Sequence, residues 1–132
     1  MLLAALLLAP PAWAQDGSAI FAQEGGALFA ANGGALFARR CASCHAVVAD
    51  APPMAGPNLR GVFGRRVAGD PRFDYSPALR RARDAGDAWD EERLTRYLDD
   101  PEEAYPGSWM GANGLPEEDE RRAVAAFLRG PE

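Results

Sequence analysis

The chain has two cysteines, Cys41 and Cys44, and its single histidine, His45, follows them directly. Three chemistries use a Cys-x-x-Cys spacing. A redox-active pair favours a thioredoxin-like setting of alternating strands and helices, and the sequence lacks those patterns. A zinc site needs four ligands, mostly Cys and His, and the chain offers only these three. The third chemistry, covalent attachment of a c-type haem, uses Cys-x-x-Cys-His, and it accounts for all three residues.

The spacing explains how these side chains would hold one haem. Cysteines three positions apart on a helical turn share one face, so both sulfurs can form thioethers to a single porphyrin. His45 comes next and can turn a ring nitrogen onto the iron. One such motif predicts one covalent haem c, and one histidine excludes bis-histidine ligation. A disulfide or a redox-active pair remains the alternative for the two cysteines.

The iron's opposite axial position can be filled by Met, by another donor or by nothing. Apart from the first residue, the methionines are Met54 and Met110. Met54 is the ninth residue after His45, and a stretch of that length spans at most ~30 Å when fully extended, which leaves little chain to pass around the porphyrin edge. Met110 is far enough along the chain for helices to intervene. We therefore expect Met54 to be adaptable core filler and Met110 to be the candidate ligand.

Several further motifs follow in a defined order. They are G-x-x-x-F-x-x-x-C-x-x-C-H (33–45), GPNLRGVFGR (56–65), FDYS (73–76), WDEERLTRYLDDP (89–101), YPGSWM (105–110) and a closing helical pattern ending at Arg129. In order and spacing they resemble the soluble monohaem class I cytochromes c of the mitochondrial and alphaproteobacterial type. The resemblance implies an all-α class I cytochrome c fold around one covalent haem c, and a one-electron carrier rather than an enzyme.

The same resemblance assigns roles at individual positions. It places Met110 on the iron opposite His45, with the carbonyl of Pro57 accepting the histidine ring N–H. The hydroxyl of Tyr97 is expected to approach the methionine sulfur. Donors around the haem propionates are implied at four further positions: Arg65, Tyr75, Trp89 and Ser108. Trp89 and Tyr97 could instead be simple core aromatics, and Arg65 a solvated surface charge.

Local signals predict helices and no strands. Asn32 is expected to cap a helix running into Cys41, and Ser76 with Pro77 to open another, since Pro is favoured at the first helical position. A third helix should end near Asp99, because Pro101 disfavours helical geometry just before it. Apolar stripes at helical spacing support the last two helices: Leu94, Tyr97 and Leu98 in the third, and Val124, Phe127 and Leu128 in the closing one.

The N-terminal region contains two kinds of pattern. Residues 1–14 read as a signal peptide with Gln15 as the mature N-terminus, which predicts export, to the periplasm in a Gram-negative bacterium; an uncleaved anchor is the alternative. Residues 15–32 form an extension built from octads, AIFAQEGG and ALFAANGG, before a third copy, ALFARRCA. Residues 33–130 are the expected cytochrome c domain, in which Gly33 and Phe37 pack against the closing helix near Phe127. The extension reads as a tandem duplication or a partner-binding helix.

The charge pattern restricts the partners. All fourteen basic residues are Arg, and nineteen acids give a net charge of −5, which argues against nucleic acid and anionic membranes. The lysine ring used for docking by mitochondrial relatives is missing. Trp109 stands where they often carry Lys, and Ala112 replaces an edge-shielding aromatic. We expect a monomer with no membrane span in the mature chain, docking transiently with redox proteins that are basic or neutral or that recognise Trp109.

Two rival functions stay open. In a gas-binding or peroxidatic haem protein, Met110 would be detached from the iron, and Gly111 and Gly114 would keep its loop open. In a bound cytochrome subunit, the acidic surface and the N-terminal extension would instead attach the chain to a larger dehydrogenase or oxidase.

Overall fold

The computed structural model describes residues 13–111 and 113–130. Five helices are present in this part of the chain: α1 (Trp13–Arg40), α2 (Pro77–Asp84), α3 (Glu91–Asp99), α4 (Pro101–Ala104) and α5 (Glu118–Arg129). The described residues form no strand, and one isolated antiparallel bridge joins Arg66 to Ala88. The all-α class predicted from the sequence is confirmed. Most of the predicted signal peptide, residues 1–12, lies outside the described residues.

Helix α1 corrects one prediction. It runs unbroken for 28 residues, so Asn32 lies inside a helix and the predicted cap at that position is wrong. A Gly costs a helix about 1 kcal/mol relative to Ala, but extending an existing helix adds a hydrogen bond with each residue. The C-terminal turns of α1 are anchored against α5, and the alanine-rich octads extend the helix from that anchor.

The packing of α1 against α5 forms the first half of the core. A Cβ atom on Gly33 would collide with the carbonyl of Ala123, so only glycine permits this close approach. One turn later, the buried ring of Phe37 lies 5.4 Å from that of Phe127. These are the contacts expected for Gly33 and Phe37, and they fix the end of α1 from which the cysteine motif emerges.

The middle helices start at capping side chains. Ser76 Oγ accepts from the Leu79 N–H at 3.3 Å, with Pro77 at the first helical position as predicted. The carboxylate of Asp90 accepts from the Arg93 N–H at 2.7 Å and opens α3. Helix α3 buries Leu94, Tyr97 and Leu98, which is the predicted stripe.

The short helix α4 was not predicted. Asp100 ends α3 and its carboxylate accepts the N–H groups of Glu102 and Glu103, both at 3.0 Å. The chain therefore restarts a single helical turn directly after the proline break. No helix among residues 13–111 and 113–130 has both the length and the hydropathy that crossing a membrane would require.

Candidate haem site

The cysteine motif forms a turn that continues from α1. The N–H groups of Cys44 and His45 both donate to the carbonyl of Cys41, at 3.0 and 2.9 Å, and the Cys41 N–H donates back to Phe37 at 2.8 Å. Cys41 is half-buried and Cys44 exposed, and they form no disulfide with each other. Burial raises the pKa of Cys41, with Arg40 partly opposing. Two thiols and an imidazole therefore lie within one turn of a helix end.

His45 is oriented by the segment that follows it. Its Nδ1 lies 2.8 Å from the carbonyl oxygen of Pro57. A proline carbonyl can only accept, so Nδ1 carries the proton and Nε2 keeps its lone pair. Burial lowers the pKa of His45, and the bond to Pro57 opposes that shift. The neutral ring thus has one nitrogen available to a metal.

Gly56 makes room for that ring. A Cβ atom at this position would lie 2.6 Å from His45 Nδ1 and nearer still to Cε1. The backbone cannot retreat easily, because the Gly56 N–H donates to Cys44 at 2.9 Å and its carbonyl accepts from Met54 at 3.0 Å. The Gly-Pro pair therefore sets both the position and the tautomer of the histidine.

Arg65 and Trp89 are brought together by backbone pairing. The Trp89 N–H donates to the Arg65 carbonyl at 2.9 Å, and the Gly64 N–H donates to the Trp89 carbonyl at 2.8 Å. Arg65 Nη2 donates to the carbonyl of Asn58 at 2.8 Å, but its buried Nε has no hydrogen-bond partner. A buried unpaired donor is rare in proteins, and this one fits an anionic group of a ligand.

Two tyrosines and a serine make up the rest of the predicted donor set. Tyr75, Tyr97 and Ser108 are each less than a tenth exposed. Tyr97 Oη and Ser108 Oγ are 2.6 Å apart, while the Tyr75 hydroxyl accepts from the Asp70 N–H at 3.2 Å. Burial raises the pKa of both phenols, so they remain protonated and able to donate.

The loop around Met110 is held at both ends. Met110 is half-buried and packs against the core, while its neighbour Trp109 is 61% exposed. Asn113 Nδ2 donates to the Met110 carbonyl at 2.7 Å. A Cβ on Gly114 would press on the carbonyls of α3, so this glycine serves close packing rather than loop opening. Ala112, the predicted uncovered edge, lies outside the described residues.

Two findings differ from expectation or go beyond it. Met54 is 51% exposed, so its assignment as core filler is wrong. Asn58 was missed. It is 4% exposed, and its Nδ2 donates to Val48 and Ala51 at 2.8 and 3.0 Å. An Asn after Gly-Pro is a turn signal, and here it closes the loop that carries Pro57.

The donor set fits a haem c. Cysteine thiols attach the porphyrin of a haem c, and imidazole and thioether groups ligate its iron. The Nε of Arg65, which has no hydrogen-bond partner, suits a propionate. The contacts described join His45 with Pro57, Arg65 with the Trp89 backbone, and Tyr97 with Ser108 in the Met110 loop. These contacts connect residues from four separate motifs.

Comparisons with known proteins agree with this arrangement. The family described as Cytochrome c matches residues 30–130. A cytochrome c2 of Agrobacterium tumefaciens is 36% identical over 90 residues, covering 68% of this chain and 81% of that protein. Cytochrome c-550 of Ancylobacter novellus is 37% identical over 90 residues (68% and 84%), and cytochrome c of Kluyveromyces lactis 35% over 89 (67% and 78%). The chain therefore belongs to the cytochrome c family, as an electron-transfer protein, not an enzyme, with one covalent haem c.

Proposed function

We propose that the chain is a one-electron carrier whose haem is attached through Cys41 and Cys44 and whose iron is ligated by His45 and Met110. The observation that carries this proposal is the cysteine turn leading into a histidine whose Nδ1 is fixed on Pro57. When bound, the haem supplies an iron that alternates between ferrous and ferric states. The remaining work is done by the protein's own side chains.

His45 is held as a neutral donor. The bond from Nδ1 to Pro57 fixes the ring orientation and makes Nε2 more basic, as second-layer hydrogen bonds commonly do for metal-ligating histidines. The tight contact with Gly56 leaves no room for the ring to swing. The imidazole therefore needs little rearrangement between redox states.

Met110 supplies a soft thioether, which favours the ferrous state and raises the reduction potential. The hydrogen bond from Asn113 and the packing of Gly114 hold its loop in place. This anchoring supports the carrier over the gas-binding or peroxidatic alternative, because an iron with both axial positions filled has no site for a substrate.

The haem carboxylates need donors, since a buried carboxylate is costly when unpaired. We assign this role to Arg65, Tyr75, Trp89 and Ser108. Arg65 is the strongest candidate, because its buried Nε lacks a partner. Ser108 is already paired with Tyr97, and Ser108 lies two residues before the methionine ligand. Tyr97 would thus influence both the propionate side and the sulfur.

We assign the docking face to Trp109 and an acidic rim around the Met110 loop. Glu102 reaches into this loop, with its Oε1 accepting the Gly107 N–H at 3.0 Å. The Leu115 N–H donates to Leu98 at the end of α3, so the start of α5 lies beside the same loop. The rim consists of exposed acids: Asp99, Asp100, Glu102, Glu103, Glu117, Glu118 and Asp119. Such a face fits a transient, positively charged redox partner, with Trp109 as the apolar contact.

Oxidation by small charged complexes tests this docking face. The ferrous protein should react with tris(phenanthroline)cobalt(III) at a rate that falls several-fold as salt is added, whereas the rate with ferricyanide should rise, because salt screens attraction and repulsion alike. Stopped-flow spectroscopy gives both rates. The double variant Glu102→Gln/Glu103→Gln should flatten both salt dependences.

A matched control neutralises two acids elsewhere. The side chains of Asp74 and Asp84 are 81% and 68% exposed. Asp74 precedes α2 and Asp84 ends it, and α2 contacts none of the other helices described. Asp74→Asn/Asp84→Asn should leave most of the salt dependence in place. Equal effects of the two double variants would show that net charge, and not the rim, controls the approach.

We propose that residues 33–130 form the functional domain, exported to the periplasm by residues 1–14 and acting as a monomer. A Cβ on Gly33 would meet α5, whereas one on Gly25 or Gly26 would meet nothing within 4 Å, and we therefore place residues 15–32 outside the domain. Deleting residues 16–31 should leave the haem absorption spectrum unchanged. A deletion extended through Phe37 should abolish folding, and loss of haem in the shorter deletion would contradict this division.

A further inference from the structure

Asp70 is a buried carboxylate with no role in the carrier as described above. Its side chain is 3% exposed. Carboxylates are among the groups least often fully buried, because removal from water is costly unless the charge is paired. It lies in the chain between Arg65 and Tyr75, two of the residues assigned to the haem propionates.

The backbone of Asp70 and of the residue before it lies against both of those residues. The Asp70 N–H donates to the Tyr75 hydroxyl at 3.2 Å. The preceding Gly69 packs on Arg65, where an added Cβ would lie 3.0 Å from Arg65 Cγ. The carboxylate is therefore held beside the two side chains assigned to the haem propionates.

Arg72 keeps the carboxylate charged. Asp70 accepts from the Arg72 backbone N–H at 3.0 Å and from its Nε and Nη2 at 3.2 and 3.3 Å. Burial alone would raise the pKa of Asp70, but these bonds and the charges of Arg72 and Arg65 hold the pKa below its ordinary value. Arg65 Nε stays unpaired and available to a ligand.

The two charges of this pair are not equally screened. The Arg72 side chain is 47% exposed, against 3% for Asp70, so water screens the positive charge far more than the negative one. Seen from the interior, the pair acts as a net negative charge.

We propose that Asp70 is a fixed internal negative charge that lowers the reduction potential of the haem by stabilising the ferric state over the ferrous. This inference rests on the proposed carrier function. The ferric haem carries one more positive charge, so a buried anion favours it in the low-dielectric interior. Asp70 is a tuning residue, acting through the field at Arg65 and Tyr75.

Redox potentiometry of the holoprotein tests the proposal. Asp70→Asn keeps the side-chain shape and removes the charge. It should favour reduction about threefold, which for one electron is a positive shift of roughly 30 mV. The control Asp74→Asn removes a carboxylate that is 81% exposed and paired with Arg80, and it should leave the potential unchanged.

The absorption spectrum separates the two possible failures. If Asp70→Asn keeps the far-red methionine-to-iron band of the ferric protein but leaves the potential unchanged or lowers it, the tuning role is wrong. If the wild-type protein lacks the band, the proposed ligation is wrong instead.

A second variant covers misfolding of Asp70→Asn. Arg72→Gln removes only the exposed charge of the pair. Above neutral pH, where Asp70 remains ionised, it should lower the potential, by a smaller factor than Asp70→Asn raises it, because the charge removed is the more exposed and more screened of the two. Arg81→Gln, an exposed arginine on α2, should have no such effect. A rise or no change with Arg72→Gln would overturn the proposal.

Discussion

Replacing Met110 by alanine is expected to abolish the far-red band of the ferric protein and to lower its midpoint potential by on the order of 100 mV, a fraction of the ~0.8 V that axial ligands can span. The thioether stabilises the ferrous state, and alanine offers no donor in its place. The protein should keep its haem, because the two thioether bonds are unaffected. Absorption spectroscopy and redox potentiometry measure the two effects.

Met54→Ala is the matched control, since it removes the same side chain from a site that is 51% exposed. It should leave both band and potential unchanged. If the band persisted in Met110→Ala and disappeared in Met54→Ala, the ligand assignment would be reversed. A band unaffected by either change would mean that neither methionine produces it.

Gly56→Ala is expected to displace His45 and to destabilise the folded protein by about 2 kcal/mol, the usual range for overpacking a filled site. The new Cβ would stand 2.6 Å from Nδ1, and Gly56 is held by backbone bonds to Cys44 and Met54. The ring must therefore move and weaken its bond to Pro57. Chemical denaturation of the holoprotein measures the loss, and the Soret spectrum reports the histidine ligand.

Gly25→Ala supplies a comparison with the same chemical change. A Cβ there meets nothing within 4 Å, and the site is helical, so alanine should stabilise α1 by up to ~1 kcal/mol. If Gly56→Ala had the same stability and the same Soret spectrum as the unaltered protein, the proposed positioning of His45 by Gly56 would be wrong.

Local sequence patterns predicted the parts of the fold that depend on near neighbours. The Ser76 cap, the α3 stripe and the contact of Phe37 with Phe127 follow from spacing and residue type. The cap at Asn32 failed because helix extension from an anchored segment overrides a local capping preference. The prediction that Met54 fills the core failed because an apolar residue type does not by itself specify burial. Many apolar residues lie at the surface of a folded protein.

The parts of the site that were missed depend on contacts distant along the chain. Asn58 closes a loop by bonds to carbonyls seven and ten residues earlier. Backbone hydrogen bonds pair residues 64–67 with residues 87–89 and place Arg65 beside Trp89. The sequence of these segments has no alternation of apolar and polar residues long enough to predict strands. Asp70 shows no sign of burial in its own neighbourhood, Gly-Asp-Pro-Arg, which reads as an exposed turn.

The absorption spectrum of the purified ferric protein tests the central claim most directly, because it reports the haem and its sixth ligand together. We predict the haem spectrum of a c-type cytochrome with a weak far-red band from methionine-to-iron charge transfer. A haem spectrum without that band would contradict ligation by His45 and Met110, and with it the assignment of the chain as a carrier with both axial positions filled.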